Sequence, residues 1–417
     1  MKQVDIIMSC HINHIGGPMG TLKRILKNKD YFKGRGYHVS IFTFESIDSG
    51  PLEDIRQVPK SQLRPKKPTV RMKVSSYLRK YIMKSKILTV LSFRKNRKHA
   101  EKLINYYLSL NRTPDIVQLH SHYDGSYYYK MRKNDKDKFV VFLHSNGIPY
   151  DQELCNYPLL QKTRYFKTIK RMLDSMIERA DYMGFIANRG QKNFLEHYPN
   201  RSKMDTIVVR NGIDDLDADQ MAIFESIKRD TKSNFKYRLC TVGTISFRKG
   251  QRLIIETLHS LPKELLKDIH VDFIGEGSER LILENLVSEY GMNANITFCG
   301  GVPNTEVYKY LAKNNIYILM SKNEGLPISI LEAMRVGLPI ISTNVAGIPE
   351  CIDEGYNGFL LEPDDNEQLA TLLKKLPDYD WEMMGRNSKD KFQKEFTFDR
   401  MKREFCDMYD RLTRDKS

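Results

Sequence analysis

The alternation of short apolar runs with helical stretches constrains the fold of this chain more than any other feature. In the first half, runs typical of β-strands lie at residues 4–9, 37–44, 116–119, 139–143, 183–187 and 206–209. A helical pattern at 21–31 follows the first run. In the second half, further runs lie at 239–242, 271–274, 296–298, 316–320 and 339–342. Helical patterns separate them at 251–260, 280–290, 306–312 and 328–336. Strands separated by helices form parallel sheets covered on both faces, so the sequence predicts an α/β fold with two doubly wound domains.

The length of 417 residues also favours two domains, because a single hydrophobic core rarely serves so long a chain. The polar segment 214–237 is the best candidate for a linker. We therefore expect an N-terminal domain at 1–213, a C-terminal domain at 238–396 and an amphipathic helix within 397–417. Doubly wound sheets bind ligands at the carboxyl ends of their strands, so we expect the two domains to face a central cleft.

The composition is that of a globular protein, with 41% apolar residues. Six scattered cysteines without a CxxC pair favour a reducing compartment over a disulfide framework, and they have no metal-ligand spacing. The first residues lack the apolar stretch of a secretory signal, and no run approaches the ~18 apolar residues of a spanning helix. We expect a cytoplasmic protein.

The positive charge is confined to one segment. Between Arg56 and Lys102 there are 16 Lys or Arg residues and one acid, Glu101, so this segment alone carries the net charge of +15 of the whole chain. Such confinement favours a docking surface over diffuse affinity for nucleic acid, and we expect no nucleic-acid partner.

Apolar residues within this basic segment recur at helical spacing, at Val74, Leu78, Tyr81, Ile82, Leu88 and Leu91. Two interpretations stay open. In the first, the helix lies on the anionic inner face of the membrane. In the second, it packs on its own domain and its basic face is solvated. The cations assigned to the membrane or to an acceptor are Arg79, Lys80, Lys84, Arg94, Lys95, Arg97 and Lys98.

Two short motifs stand at predicted strand ends. Gly16-Gly17 precedes the first helix, where glycine lets the backbone approach a ligand and the helix offers N–H groups to a phosphate. The alternative is a simple tight turn. Arg248-Lys249-Gly250 precedes the first helix of the second half, where two cations can neutralise a diphosphate. The alternative is a solvated loop.

The segment 324–332, EGLPISILE, is the sharpest feature of the sequence. Pro327 suits the first turn of a helix, which places Glu324 in the preceding loop and Glu332 on the helix. Leu331, Ala333 and Met334 predict that this helix is buried. Paired glycosidase carboxylates stand ~5 to 9.5 Å apart, whereas eight helical residues span roughly 12 Å. We therefore expect different partners for the two glutamates.

Five histidines fall near predicted strand ends: His11, His14, His120, His122 and His144. No Cys or acid completes a tetrahedral zinc set at familiar spacing, so we expect no metal. His144 stands where a cleft-facing polar group belongs, although it also suits a histidine satisfied within the core.

Several ordered blocks together resemble glycosyltransferase family 4, many of whose members are retaining enzymes of bacterial polysaccharide and glycolipid synthesis. The blocks include SKNEGLP at 321–327, LEAM at 331–334, GLPI at 337–340, GIPE at 347–350 and NGFL at 357–360. The resemblance fades between about residues 46 and 110. It implies a GT-B architecture, in which two Rossmann-like domains face a cleft and the C-terminal domain holds the donor. It also implies that the last helix crosses back to the N-terminal domain.

The resemblance also implies roles for single residues. Glu324 contacts the hydroxyls of the transferred sugar, Glu332 the donor ribose, and Lys249 the diphosphate. Many relatives have Arg where this chain has Thr244, and Arg248 is expected to supply that cation. His144 lies beside the reacting carbon. The remaining donor-binding residues are Gly16, Gly17, Thr244, Gly275, Val302, Gly325, Leu326, Pro327 and Ile328.

The sequence therefore predicts a retaining, metal-independent glycosyltransferase without a cofactor. It moves a sugar from a nucleotide diphosphate, expected to be a UDP-sugar, to a glycan or lipid-linked glycan in surface polysaccharide synthesis. The alternatives are another GT-B enzyme, such as a phosphorylase or epimerase, and a non-catalytic protein docked on membrane through residues 56–102.

Overall fold

A computed structural model describes residues 1–12, 17–54, 85–132, 137–202 and 205–414. The chain forms two compact units. Unit 1 consists of Met1–Asn211 together with Phe398–Ser417, and unit 2 of Gly212–Thr397. The unit boundaries fall where the chain passes between two separate parallel sheets.

Unit 1 is built on a six-stranded sheet in the order β2-β1-β3-β4-β5-β6, in which all neighbouring strands are parallel. The strands are β1 Lys2–Ile7, β2 Tyr37–Phe42, β3 Ile116–Leu119, β4 Lys138–Leu143, β5 Tyr182–Phe185 and β6 Thr206–Val208. Most of their residues are buried, because helices cover both faces of a doubly wound sheet. Within the described residues, the helices that precede unit 2 are α1 Gly17–Lys27, α2 Lys29–Gly34, α3 Ser46–Ser49, α4 Lys86–Ser109, α5 His122–Met131, α6 Asp151–Asn156, α7 Arg164–Arg179 and α8 Asn188–His197.

Unit 2 repeats this plan with the strand order β12-β11-β10-β7-β8-β9, again parallel throughout. The strands are β7 Tyr237–Val242, β8 Ile269–Ile274, β9 Ile296–Gly300, β10 Ile316–Leu319, β11 Ile340–Thr343 and β12 Gly358–Leu361. The helices are α9 Ala218–Asp230, α10 Gln251–His259, α11 Lys263–Leu266, α12 Arg280–Glu289, α13 Val307–Leu311, α14 Ile328–Arg335, α15 Asn366–Lys374 and α16 Trp381–Glu395. Single 3-10 turns lie at Pro158–Lys162, Phe247–Lys249, Asn304–Glu306, Ile348–Glu350 and Leu376–Asp378.

The last helix, α17 (Phe398–Arg414), belongs to unit 1. The Arg400 guanidinium donates hydrogen bonds to the carbonyls of Arg210 at 2.7 Å and Asn211 at 3.1 Å. One face of the helix is fully buried, through Phe405, Tyr409 and Leu412 among others. The apolar positions that predicted an amphipathic helix in the sequence therefore pack into the core of unit 1.

The predicted α/β class with two doubly wound sheets is confirmed. Three local expectations differ from the structure. The helical pattern at 21–31 is two helices, which meet at Asn28. The segment 214–237, expected to be a linker, contains α9 within unit 2. Strand β12 was not predicted from the sequence, because its four residues begin with Gly358 and show no β-type pattern.

The basic segment is described only from residue 85 onward. The residues Val74, Leu78, Tyr81 and Ile82, on which the predicted apolar face depends, lie outside the described residues. Helix α4 begins at Lys86, where the Ser85 hydroxyl accepts a hydrogen bond from the Leu88 amide at 3.3 Å. Farther along, α4 buries Leu103, Ile104 and Tyr107 in the core of unit 1.

Candidate functional site

The loop between β10 and α14 carries the first of the two predicted glutamates. Glu324 lies in this loop and is only 8% exposed. The helix begins at Ile328, directly after Pro327, whose ring fixes a backbone angle suited to a helix start. Its residues from Ile330 to Arg335 are all buried, which confirms the expectation of a buried helix.

One carboxylate oxygen of Glu324 accepts three hydrogen bonds. Oε1 lies 2.7 Å from Nζ of Lys249, 2.8 Å from a guanidinium nitrogen of Arg248 and 2.7 Å from the Ser321 hydroxyl. The described residues show no comparable bond to Oε2. Hydrogen bonds between ionised partners are short and strong, so Glu324 is held in one orientation.

The ionisation of Glu324 follows from the same contacts. Burial by itself raises the pKa of a carboxyl group, but the positive charges of Lys249 and Arg248 and their hydrogen bonds outweigh it, and the pKa of Glu324 is lowered. Glu324 is therefore a carboxylate at neutral pH. An ionised carboxylate only accepts hydrogen bonds, so this group suits the hydroxyls of a ligand.

Arg248 and Lys249 lie in the 3-10 turn Phe247–Lys249, between β7 and α10. The turn ends at Gly250, whose φ of 73° is a left-handed conformation that favours glycine. A Cβ atom at Gly250 would lie 1.8 Å from the carbonyl oxygen of Met320. Only glycine therefore lets the two cations approach the end of β10 so closely.

The other predicted donor-binding residues of unit 2 follow neighbouring strands of the same sheet. Thr244 lies two residues after β7, Gly275 directly after β8 and Val302 two residues after β9. Gly275 has φ 154°, and a Cβ atom there would lie 1.9 Å from the carbonyl oxygen of Gly243. Since β9, β8, β7 and β10 are adjacent, these residues and Glu324 share the carboxyl edge of one sheet.

The start of α14 adds backbone groups to this edge. Gly325, Leu326 and Pro327 are buried, and Ile328 is half-buried at the first helical position. The first amides of a helix have no partner within the helix, and the helix dipole favours an anion there. Glu332, one turn farther along, is 7% exposed and contributes to the electrostatic surroundings of the Tyr317 hydroxyl. The two glutamates thus have different surroundings, as expected.

In unit 1, His144 follows β4 and lies against His120, which follows β3. Nε2 of His144 is 2.8 Å from Nδ1 of His120, and the rings stack with centroids 5.0 Å apart. Burial lowers the pKa of His144 to about 4, and burial together with the neighbouring His144 lowers the pKa of His120 well below its ordinary value. Both imidazoles are therefore neutral at neutral pH.

The remaining predicted residues are the glycine pair before α1 and the cations of the basic segment, and only some of them are described. Gly17 begins α1, whereas Gly16 lies outside the described residues. So do Arg79, Lys80 and Lys84, and the side chain of Lys95 is not described. Arg94 and Lys98 are exposed on α4, as predicted for a surface.

Arg97, on the same helix, does not face solvent as its neighbours do. Its guanidinium lies 5.5 Å from the ring centroids of both Tyr127 and Tyr165. It donates a hydrogen bond to the Tyr165 hydroxyl at 3.0 Å. The Arg94 guanidinium also lies 5.5 Å from the Tyr165 ring centroid, so Arg94 and Arg97 both pack against this tyrosine of unit 1.

Two residues beside the site were not predicted from the sequence. The Ser321 hydroxyl holds Glu324, and the Gln118 side chain lies 2.5 Å from His120. Ser321 stands in one of the blocks that carry the family resemblance, three residues before Glu324, and that spacing was the available signal. Gln118 is buried in β3 among apolar residues, where a polar side chain needs a partner.

Residues 223–391 match the family model described as Glycosyl transferases group 1. A protein of Methanocaldococcus jannaschii described as an uncharacterized glycosyltransferase is 28% identical over 293 residues, which cover 69% of this chain and 71% of that protein. The amylovoran biosynthesis glycosyltransferase AmsK of Erwinia amylovora is 30% identical over 145 residues, covering 33% of this chain and 35% of its own length. The predicted family is thus supported at the level of group 1 glycosyl transferases.

Solved structures share the architecture of the whole chain. Sucrose-phosphate synthase from Thermosynechococcus elongatus has a TM-score of 0.72 at 17% identity, covering 100% of both chains. HepE of Anabaena, in complex with UDP-glucose, has a TM-score of 0.63 at 16% identity, covering 98% of this chain and 100% of that one. At such low sequence identity, the structural similarity is evidence for the fold alone. The predicted GT-B fold, with two Rossmann-like domains, is confirmed.

The described ranges contain neither a metal-binding cluster nor a membrane-spanning helix. There, no group of three or more His, Cys, Asp or Glu side chains is arranged to hold a metal ion. In those ranges, too, no helix combines the length and apolar character needed to cross a bilayer.

Proposed function

We propose that the chain is a retaining glycosyltransferase that moves a sugar from a UDP-sugar to a glycan or lipid-linked glycan acceptor. The match to the group 1 family model and the relatives support sugar transfer. The observation that carries the proposal is the carboxylate of Glu324. Its Oε1 is held by Lys249, Arg248 and Ser321, while Oε2 is not engaged by any described residue.

In this proposal Oε2 of Glu324 accepts hydrogen bonds from hydroxyls of the transferred sugar. An ammonium group has three donors and a guanidinium five, so Lys249 and Arg248 keep donors for the diphosphate after binding Glu324. The first amides of α14, at Ile328 and beyond, add their dipoles to the same phosphate. Glu332 accepts from the ribose hydroxyls, and the backbone at Thr244, Gly275 and Val302 lines the nucleotide.

The chemical step exchanges one bond at the anomeric carbon for another. The bond to the phosphate oxygen breaks, and an acceptor hydroxyl oxygen forms the new bond on the same face. The proton of that hydroxyl passes to the departing diphosphate, whose charge Lys249 and Arg248 stabilise. Since Glu324 already has its charge neutralised by two cations, it positions the sugar and does not act as the nucleophile. No bound metal is required, because cations and helix amides provide the charge.

The choice of UDP is supported by the HepE structure, which shares the fold and is a complex with UDP-glucose. A screen of thermal stability against UDP-, GDP- and ADP-sugars tests this choice, because a ligand that binds only the native state raises the unfolding temperature. We expect stabilisation by UDP-sugars. A shift with GDP- or ADP-sugars alone would overturn the UDP assignment while leaving sugar transfer intact.

Surface polysaccharide synthesis is the proposed setting, supported by the similarity to the amylovoran enzyme. Part of α4 also suits a peripheral site on the inner face of an anionic membrane. Ile87 and Leu91 are 73% and 56% exposed, although both are large and apolar, and the cations Arg94 and Lys98 are exposed nearby. Sedimentation with anionic vesicles should therefore weaken several-fold in a double variant, Ile87→Ser with Leu91→Ser. Equal sedimentation of variant and wild type would count against membrane docking.

The activity itself is tested by nucleotide release from the stabilising donor, with and without a glycan acceptor. Transfer requires nucleotide release that depends on the acceptor, and a retaining transfer also requires a product with the donor's anomeric configuration. Formation of sugar 1-phosphate from a glycan and inorganic phosphate, without any nucleotide sugar, would indicate a phosphorylase instead. An inverted product would leave the transferase but remove the retaining mechanism.

A further inference from the structure

Three buried side chains of unit 1 and the half-buried His144 form one continuous hydrogen-bonded row that ends at His144. The Tyr409 hydroxyl donates to Oε1 of Gln118 at 2.8 Å. Nε2 of Gln118 lies 2.5 Å from Nε2 of His120, and Nδ1 of His120 lies 2.8 Å from Nε2 of His144. The row thus runs from the last helix, α17, through β3 to the end of β4.

The order of atoms in this row determines where each proton lies. Oε1 of Gln118 accepts from Tyr409, so its amide nitrogen faces His120 and donates. Nε2 of His120 must then be the bare acceptor, which puts the proton of this neutral ring on Nδ1. That proton is donated to Nε2 of His144. Nε2 of His144 is therefore also bare, and its proton resides on Nδ1.

The packing of the row leaves its members little freedom to turn. Tyr409 and Gln118 are fully buried, and His120 is 3% exposed. The His120 ring stacks on Phe142 with centroids 5.2 Å apart and an angle of 10° between the planes. The Phe142 ring in turn lies against the Phe405 ring of α17, with 6.0 Å between the ring centroids. A ring rotation of His120 would break this stack and two hydrogen bonds.

We propose that Tyr409 and Gln118 are positioning residues, which act through His120 to fix His144 as a hydrogen-bond donor at Nδ1. The described residues show no acceptor for this N–H, so it is left for an oxygen atom of a bound ligand. This inference rests on the proposed function and deepens it. His144 offers a proton to a sugar or phosphate oxygen and does not remove one from an acceptor hydroxyl.

Two further observations agree with that role. A general base needs a free lone pair and a pKa near the working pH. The only bare nitrogen of His144 already accepts from His120, and burial keeps the pKa of His144 near 4. A polar residue at 118 therefore has a consequence at the site although it is two hydrogen bonds away from His144.

Nitrogen-15 NMR of histidine-labelled protein tests the inference without any sugar transfer, because protonated and bare ring nitrogens differ strongly in chemical shift. Signals are assigned with His144→Gln and His120→Gln variants. We expect the wild type to show both rings neutral, with the proton on Nδ1. A proton on Nε2 of His144 in the wild type would overturn the proposal, even if no variant folded.

Variants then test whether Gln118 and Tyr409 determine the tautomers of His120 and His144. Gln118→Met removes the amide with little change in volume, so both rings should become tautomer mixtures. Tyr409→Phe should do the same to a smaller extent, since the amide of Gln118 is then free to turn. Tyr37→Phe is the matched control: its ring lies 5.1 Å from that of Tyr409, but its hydroxyl bonds Asp410 and not this row. Unchanged tautomers in Gln118→Met would also overturn the proposal.

The effect on catalysis is measured separately. In Gln118→Met we expect kcat for transfer to fall about tenfold, the loss of one hydrogen bond of about 1.4 kcal/mol. The KM for the donor should change less, and Tyr37→Phe should behave as wild type. If the wild type transfers no sugar but has the expected tautomers, the proposed function is wrong, whereas the assignment of the protons in the row is confirmed. If it transfers sugar with the other tautomer, the positioning role alone fails.

Discussion

Lys249 and Glu324 form an ion pair with 2.7 Å between Nζ and Oε1, although 75 residues separate them in the chain. The pair joins the loop after β7 to the loop after β10, and these two strands are neighbours in the sheet. The parallel order of the sheet therefore brings the cation and the carboxylate to one edge. Both side chains are almost fully buried, so neither charge is balanced by water.

Removal of this cation should disable transfer more than it harms folding. In Lys249→Ala, Arg248 and Ser321 still hold Glu324, but the diphosphate loses a fixed positive charge. We expect kcat to fall on the order of 10²-fold or more, by analogy with other charge-stabilising donors. Steady-state kinetics and circular dichroism measure the two effects. Lys322→Ala is the control, because Lys322 lies on the same loop as Glu324 and pairs instead with Asp364. Near-normal transfer by Lys249→Ala would remove it from the site.

The ionised state of Glu324 should appear in the pH dependence of stability. Its folded pKa lies below the ordinary value of 4.5, so its stabilising contribution is complete above pH 4.5. That contribution is lost as the pH falls through the folded pKa. Urea unfolding of wild type and Glu324→Gln at several pH values measures it. The advantage of the wild type should be constant near neutral pH and shrink below 4.5. A difference that does not change with pH would contradict the lowered pKa.

A methyl group at Gly250 should destabilise unit 2 strongly. The new Cβ would lie 1.8 Å from the Met320 carbonyl oxygen, and the left-handed backbone adds about 1–2 kcal/mol. Gly291→Ala separates these costs, because Gly291 has φ 67° but a Cβ atom there would meet no atom of the described residues within 4 Å. We expect Gly291→Ala to lose only the backbone cost and Gly250→Ala several kcal/mol in total, measured by denaturant unfolding. Equal losses would show that the collision is relieved.

Neutral His144 predicts a second pH effect, at higher pH. The unfolded imidazole takes up a proton near pH 6.5, whereas the folded one does so only near pH 4. Between these values the unfolded state binds more protons, so the free energy of unfolding should fall as the pH is lowered. His144→Gln should show a shallower slope than the wild type over this interval. Parallel slopes would mean that His144 titrates alike in both states.

The fold was largely readable from the sequence because parallel strands are apolar on both faces. Runs such as 116–119 and 316–320 agree with β3 and β10 to within a residue. The break at Asn28 could not be predicted from the sequence, because no Pro or Gly marks it. Strand β12 depends on pairing with β11, a tertiary contact that no local pattern records.

The site was predicted less completely than the fold. Glu324 and Lys249 were chosen as candidates because each stands in a motif near a predicted strand end. The sequence did not contain the order of the strands, which places β7 beside β10 and β3 beside β4. That order decides that Lys249 contacts Glu324 and that His120 contacts His144. The hydrogen bonds of Ser321 to Glu324 and of Gln118 to His120 depend on the same strand order, so they could not be predicted from the sequence.

The return of the chain to unit 1 at Phe398 has a consequence for biosynthesis. During synthesis, residues 1–211 leave the ribosome before unit 2 does. Tyr409, the hydrogen-bond donor to Gln118, lies 291 positions after that glutamine and is made after unit 2. Unit 2 is one uninterrupted segment and can mature as soon as residue 397 leaves the ribosome. The nascent first unit therefore lacks α17 during the whole time in which residues 212–397 are synthesised. Chaperone dependence during synthesis should therefore concentrate on the half of the protein that is made first.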